Sequence, residues 1–226
     1  MNWSRYLPVR IYDLLKRVKR RLGITTPLAA RLRELLNERR DFSFVQIGAN
    51  DGVSLDPYRE FILESHGVGV LVEPLPWLAD RLHRNYRQRQ NLIFETVAVA
   101  YDGQSLILHV PEAEDRSAVA SLDKEHLLRH GVASMREVEV PTCTVEALLE
   151  KHGLASVDCL FLDVEGAEAQ ILLGMDYARV GARLIAFESA HLGECRAAVD
   201  EKLGANGYRI EEFGMDALAW KAFAGV

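Results

Sequence analysis

Val45-Gln46-Ile47-Gly48-Ala49-Asn50-Asp51-Gly52 follows Phe42-Ser43-Phe44 without a break, so a short β-rich run ends in a turn bounded by two glycines. Runs of Phe, Val and Ile suit a pleated, buried strand, and Gly48 and Gly52 let the backbone turn sharply and approach a ligand that a Cβ would hold off. Downstream, Val68-Gly69-Val70-Leu71-Val72 and Val157-Asp158-Cys159-Leu160-Phe161-Leu162 have the continuous apolar character of strands covered on both faces of a parallel sheet. Each of these runs ends in polar residues: Glu73-Pro74 after the second, Asp163-Val164-Glu165-Gly166-Ala167-Glu168 after the third. Arg183 to Phe187 is a further strand, followed by Glu188-Ser189-Ala190-His191.

Helical patterns separate the strands. One starts at Pro27 (Leu28, Leu32, Leu35, Leu36), one at Pro57 running to Ser65, and one of about 15 residues at Pro76. Leu92 to Val99 and Ser105 to Val110 read as strands joined through Tyr101-Asp102-Gly103-Gln104, and Pro111 to Arg136 is less regular. Arg136 to Cys143 alternates as a strand, Thr144 caps a helix to His152, and further helices are expected over Ala169 to Leu173 and Glu194 to Ala205. Tyr208 to Phe213 and Leu218 to Phe223 form a closing strand pair across Gly214-Met215-Asp216. This alternation predicts an α/β fold with a doubly wound, mostly parallel sheet and an antiparallel strand added at the end.

Composition bounds the function. The 226 residues, 49% hydrophobic and 27% charged, suit one globular domain with a full core. No apolar run approaches the about 20 residues of a membrane-spanning helix. Cys143, Cys159 and Cys195 are odd in number and far apart, which argues against a disulfide framework or a zinc site and fits a cytoplasmic setting. The overall charge is −6, yet residues 1–23 carry +6 (seven Lys or Arg against Asp13), which leaves −12 on residues 24–226 and makes nucleic acid a poor partner for the body of the chain. In residues 1–23, Leu7, Ile11, Leu14, Leu15, Val18 and Leu22 recur on one helical face behind Trp3 and Tyr6. That basic amphipathic helix is expected to dock on its own domain or a second subunit, or to contact the inner membrane surface; the oligomeric state stays open.

In open α/β sheets ligands bind beyond the carboxyl ends of the strands, where the turn at Gly48, Glu73, Asp163 and His191 converge. Glu73, 25 residues beyond Gly48, is placed to accept hydrogen bonds from ribose hydroxyls. The dinucleotide fingerprint G-x-G-x-x-G is absent, since Asn50 stands at its second glycine, so a nucleotide without pyrophosphate, such as S-adenosylmethionine, fits better than NAD. Two rivals remain at this point: an NAD-dependent sugar-modifying enzyme, and a non-catalytic module that binds a partner through residues 1–23.

The segments Val45 to Gly52, Val72-Glu73-Pro74 and Leu162 to Glu168 followed by Ile171-Leu172 resemble the class I S-adenosylmethionine-dependent methyltransferases of the FkbM family, in order and spacing over about residues 40 to 190. The resemblance implies a Rossmann-like seven-stranded sheet whose last strand is antiparallel. It also implies O-methylation, often of sugar hydroxyls in polysaccharide, glycolipid or antibiotic pathways. The acceptor would then be a small molecule or glycan hydroxyl. Carried onto this chain, the cofactor side comprises Gln46, Gly48, Ala49, Asn50, Asp51, Gly52, Glu73, Pro74, Val97, Ala98 and Asp163. Among these, Gly48, Asn50 and Gly52 would line the methionine end, Glu73 the ribose, and Val97-Ala98 the adenine. Family members often carry an acid where Gln46 stands, so the methionine ammonium would meet the amide carbonyl or another group. Transfer to oxygen needs a base, for which Asp163, Glu165 and His191 are the candidates, with His191 or Asp163 favoured and Glu165 and Glu188 positioning the acceptor. Asp163 and Glu165 could hold Mg²⁺, but alternate side chains of extended backbone point to opposite faces, so a metal is not favoured.

Overall fold

The computed structural model describes residues 26–221, except 38, 55, 102–104, 113–119, 122–123, 130–131, 133 and 165. Residues 1–23, the Asp102-Gly103-Gln104 turn and Glu165 therefore lie outside the described residues. Seven strands form one sheet: β1 (Phe44–Ile47), β2 (Gly69–Val72), β3 (Leu92–Glu95), β8 (Cys159–Leu162), β9 (Leu184–Glu188), β10 (Arg209–Phe213) and β11 (Asp216–Trp220). Their order is β10-β11-β9-β8-β1-β2-β3, and every pairing is parallel except those of β11, which runs antiparallel to both β9 and β10. The expected mostly parallel sheet with an antiparallel final strand is thus the architecture found. The chain builds outward from β1 through β2 to β3, then crosses back to β8, which leaves a switch in strand order between β1 and β8.

Alternation along the strands sorts the core into two layers. Val45, Ile47, Val70, Val72, Leu160 and Leu162 face α5 (Val145–Lys151), α6 (Glu168–Gly174) and α8 (Arg196–Ala205), whose Leu148, Leu149, Ile171, Leu172, Val199 and Leu203 complete that layer. Phe44, Leu71, Phe161, Ala186 and Leu218 face α1 (Pro27–Leu36), α2 (Arg59–Glu64) and α3 (Pro76–Asn85). Helix α1 has clear local causes. Thr26 Oγ1 accepts from the Ala29 N–H, Pro27 occupies the first turn, Asn37 closes the helix in the left-handed region, and Leu28, Leu32 and Leu36 recur on the buried face.

Several expected boundaries move. The single strand over Leu92 to Val99 is two: β3 in the main sheet and β4 (Ala98–Val99), which pairs in parallel with β7 (Thr142–Cys143) in a separate sheet. Arg136 to Cys143 likewise divides into β6 (Met135–Val140) and β7 at Pro141, which has no N–H to continue a ladder. β5 (Leu106–Pro111) does not pair with β4 but forms an antiparallel ribbon with β6. That ribbon covers Leu75, Leu78 and Ala98 with Leu108, Val110 and Val140, close to the end of β2. Within the less regular Pro111–Arg136 stretch the described residues include one helix, α4 (Lys124–Arg129). Helix α2 starts at Arg59 rather than Pro57, α3 is 10 residues long rather than 15, and β11 starts at Asp216, which tightens the closing turn to Gly214-Met215. Cys143, Cys159 and Cys195 are free. Among the described residues no helix is long and apolar enough to cross a membrane.

Candidate active site

The turn after β1 is built from backbone conformation. Gly48, Asn50 and Gly52 all have positive φ (81°, 51° and 70°), which glycine takes freely and asparagine tolerates better than most residues. Space as well as φ requires glycine at both ends. A Cβ on Gly48 would sit 1.9 Å from the Asp163 carbonyl oxygen, and one on Gly52 would lie 2.4 Å from Tyr86 Cε2. The loops after β1 and β8 therefore touch at the switch point, and the loop after β1 is also pinned against Leu82 and Tyr86 at the end of α3. Gly52 O also accepts from the Tyr86 hydroxyl and the Arg59 guanidinium.

Glu73 ends β2 and is buried, 5% exposed. Its Oε2 accepts from the Asn50 N–H and its Oε1 from the Leu75 N–H, both at 2.9 Å, so the carboxylate ties the two loops together and each oxygen keeps one lone-pair direction for a ligand. Burial is the dominant influence on it and raises its pKa from 4.5 to about 7, against the lowering effect of the two N–H donors. Asp51 differs. Its carboxylate accepts from the N–H groups of Val53 and Ser54 and from the Ser54 hydroxyl. Burial acts to raise the Asp51 pKa, but these donors and Arg81 outweigh it and hold the group below the ordinary carboxylate range. Asp51 thus shapes the turn from within. Ala49 is buried, Pro74 is half-buried, and Val97-Ala98 lead into β4 beside Leu75.

Gln46 is 2% exposed and faces the α2 layer. Its Nε2 donates to Asp56 Oδ1 at 3.0 Å, an oxygen that also accepts from the Tyr58 N–H at 2.8 Å, while Gln46 Oε1 has no hydrogen-bond donor among the described residues. Tyr58 is fully buried and stacks on Phe161 with ring centroids 4.4 Å apart. Asp163 follows β8, and the loop after it is wound around Glu168, whose buried carboxylate accepts from the N–H groups of Val164 (2.8 Å) and Gly166 (3.0 Å). His191 Nδ1 lies 3.2 Å from Glu188 Oε2, with the two side chains 21% and 12% exposed. Among the described residues no group of three or more His, Cys, Asp or Glu is arranged to hold a metal ion.

The structure thus brings Gly48, Asn50, Glu73 and Asp163 to one switch-point crevice, and sets the Glu188–His191 pair on the same sheet edge two strands from β1. Sequence reasoning missed Asp56, Tyr58 and Asp216 here. Asp56 follows no strand, Tyr58 reads as an ordinary helix-start aromatic, and Asp216 reads as a turn residue. The clamp role of Glu168 was also missed, although an acid at the first turn of a helix after a glycine is the type of residue that gathers free N–H groups.

A doubly wound sheet with a glycine turn after β1 and a buried carboxylate after β2 places these groups where open α/β folds bind their ligands, beyond the carboxyl ends of the strands. Residues 46–210 match the methyltransferase FkbM domain, which is more than half of the chain, and the protein belongs to that family. A solved FkbM methyltransferase from Methylobacillus flagellatus KT is similar in fold, with a TM-score of 0.51, 14% identity, and coverage of 80% of this chain and 44% of that one. The chain therefore spans less than half the length of that protein. The METTL16 methyltransferase domain gives a TM-score of 0.50 at 10% identity, over 86% of this chain and 66% of that one. Fibrillarin from Aeropyrum pernix, solved with natively bound S-adenosyl-L-methionine, gives 0.45 at 16% identity, over 81% and 67%. A comparison with curated proteins found no match.

Proposed function

We propose that the protein is an S-adenosylmethionine-dependent O-methyltransferase acting on a hydroxyl of a sugar, glycoconjugate or related natural product. The observation that carries this reading is the Glu73 carboxylate, buried at the end of β2 and held by the N–H groups of Asn50 and Leu75, beside a turn whose Gly48, Asn50 and Gly52 all have positive φ. A buried carboxylate with one free lone-pair direction on each oxygen suits two vicinal hydroxyls, which fits the ribose of an adenosine. Gly48, Ala49 and Asn50 would border the methionine end, and Pro74, Val97 and Ala98 the adenine. When bound, S-adenosylmethionine supplies an electrophilic methyl group on a sulfonium.

The chain's own groups account for the remaining steps. Glu188 Oε2 lies 3.2 Å from His191 Nδ1, short of hydrogen-bond geometry, and in this reading Nε2 would accept the hydroxyl proton. Glu188 would stabilise the imidazolium that results. Asp163, fixed by the Gly48 contact, would orient the acceptor, and the Glu168 clamp holds its loop. Isothermal titration with S-adenosylhomocysteine beside NAD tests the assignment. Saturable binding of S-adenosylhomocysteine alone is expected; binding of NAD alone moves the chain to the oxidoreductases, and binding of neither leaves a partner-binding module.

A further inference from the structure

Glu188 and His191 are held by different parts of the fold. Glu188 is the last residue of β9 and lies in the ladder opposite Asp216, so the sheet fixes its backbone. His191 comes three residues later, in the loop over residues 189–195 that leads through a 3₁₀ turn (Gly193–Cys195) into α8. The start of that loop is bound to the closing hairpin. The N–H groups of Ser189 and Ala190 both donate to Met215 O, in the turn between β10 and β11, at 2.8 and 3.1 Å. Further on, Leu192 is buried and packs into the layer of α5, α6 and α8.

Glu212 joins the two ends of the loop. It lies on β10, the outermost strand, as the partner of Ala217. Its Oε2 accepts from the Ser189 hydroxyl at 3.0 Å, and its Oε1 accepts from the guanidinium of Arg196, the first residue of α8. One carboxylate thus brackets the chain from Ser189 to Arg196, with His191 between, and both contacts are charge-assisted. Each partner is also held from a second side. Ser189 Oγ lies 3.2 Å from Met215 O, and Arg196 Nε donates to both oxygens of Asp200 at 2.9 and 2.7 Å. Removing the Glu212 charge therefore strands neither the hydroxyl nor the guanidinium. What is lost is the tie between the two ends.

We infer that Glu212 is a positioning residue for the base: by bracketing the loop it sets the His191 ring against Glu188 and the acceptor hydroxyl. This inference rests on the role of His191 in the methyltransferase reading above. It gives the closing hairpin a duty besides extending the sheet, since the outermost strand acts on the reaction through His191. A general base works over hydrogen-bond reach, and a displacement of about 1 Å costs on the order of 100-fold in rate, so a contact that fixes the span of a short loop matters to the chemistry.

The test uses the full chain, labelled with ¹⁵N and saturated with S-adenosylhomocysteine, as wild type, Glu212→Gln and Ser189→Ala. The ring-nitrogen resonances of His191, identified by their loss in His191→Asn, report the surroundings of the base. Amide exchange of Leu192 and Cys195, whose N–H groups donate to Ser189 O and Leu192 O, reports the loop. Glu212→Gln is expected to move the ring resonances and to speed both amides about tenfold, with the amides of β1, β2 and β8 unchanged and S-adenosylhomocysteine affinity kept within about threefold. Ser189→Ala, which keeps the Arg196–Glu212 pair, should move the same signals by less. Unmoved ring resonances in Glu212→Gln overturn the inference even if the loop exchanges faster, because a role confined to stability leaves the base in place. If Glu212→Gln loosens the whole sheet, Ser189→Ala decides, and unmoved ring resonances in that variant overturn the inference as well. Failure of the wild type to bind S-adenosylhomocysteine brings down the methyltransferase reading instead, and the same resonances in the free protein still show whether Glu212 sets His191.

Discussion

Replacing Glu73 by Gln separates what this carboxylate does for a ligand from what it costs the fold. Its pKa is raised from 4.5 to about 7 in the folded state. A group raised in this way lends stability at acid pH, and that contribution is lost as pH climbs from the unfolded value through about 7, a difference of about 3 kcal/mol at pH 8. The amide removes that loss. It also turns an NH₂ toward the N–H of Asn50 or Leu75, which leaves one buried donor unmatched at about 1–3 kcal/mol. The two effects nearly cancel, so the midpoint of urea unfolding at pH 8 should change little.

Ligand binding does not cancel. Two ribose hydroxyls lose a charged acceptor, and even one such bond, at about 1.5–3 kcal/mol, weakens S-adenosylhomocysteine by roughly 10- to 150-fold. The wild type also acquires a pH signature. Hydroxyl donors select the ionised carboxylate, so affinity should fall by about tenfold per pH unit below 7 and level off above it, whereas Glu73→Gln should be flat from pH 6 to 8. Calorimetric titration at pH 6, 7 and 8 measures both. A variant within threefold of the wild type at pH 8, or a wild-type affinity that ignores pH, would refute the assignment of Glu73 to the ribose.

Other substitutions probe the remaining parts. Gly48→Ala places a methyl 1.9 Å from the Asp163 carbonyl at a φ of 81°, so it should lower the thermal midpoint by several degrees, a cost of about 3 kcal/mol or more, and weaken cofactor binding together with stability. Glu168→Gln loses one of the N–H acceptors that wind the loop after β8, which should cost about 1–3 kcal/mol in urea unfolding; a midpoint equal to the wild type would dismiss the clamp. His191→Asn should leave S-adenosylhomocysteine affinity within threefold and lower kcat at least about 100-fold, the usual scale of a general base. Retained turnover in that variant would move the base to Asp163.

The sequence by itself determined the sheet and most of what faces the cofactor. Short, continuous apolar runs such as Val68 to Val72 and Leu160 to Leu162 read as strands buried on both faces, and their order with intervening helices implies a parallel sheet whose polar chain turns gather on one edge. Gly48, Glu73 and Asp163 were legible for the same reason, because each follows such a strand directly. Where strands end was not legible, since Leu92 to Val99 is uniformly strand-like and only its two different partners, β2 and β7, divide it. Tertiary structure alone brought three carboxylates to one edge. Asp163, Glu188 and Asp216 are separated by 25 and 28 residues, and nothing local links them. They stand together because β8, β9 and β11 are neighbours and β11 is reversed, which brings the first residue of the last strand to the edge where the others end. Asp56 and Gln46 meet for a related reason: the loop that opens α2 folds back over β1, and the bond at 3.0 Å joins residues whose pairing no periodicity foretells.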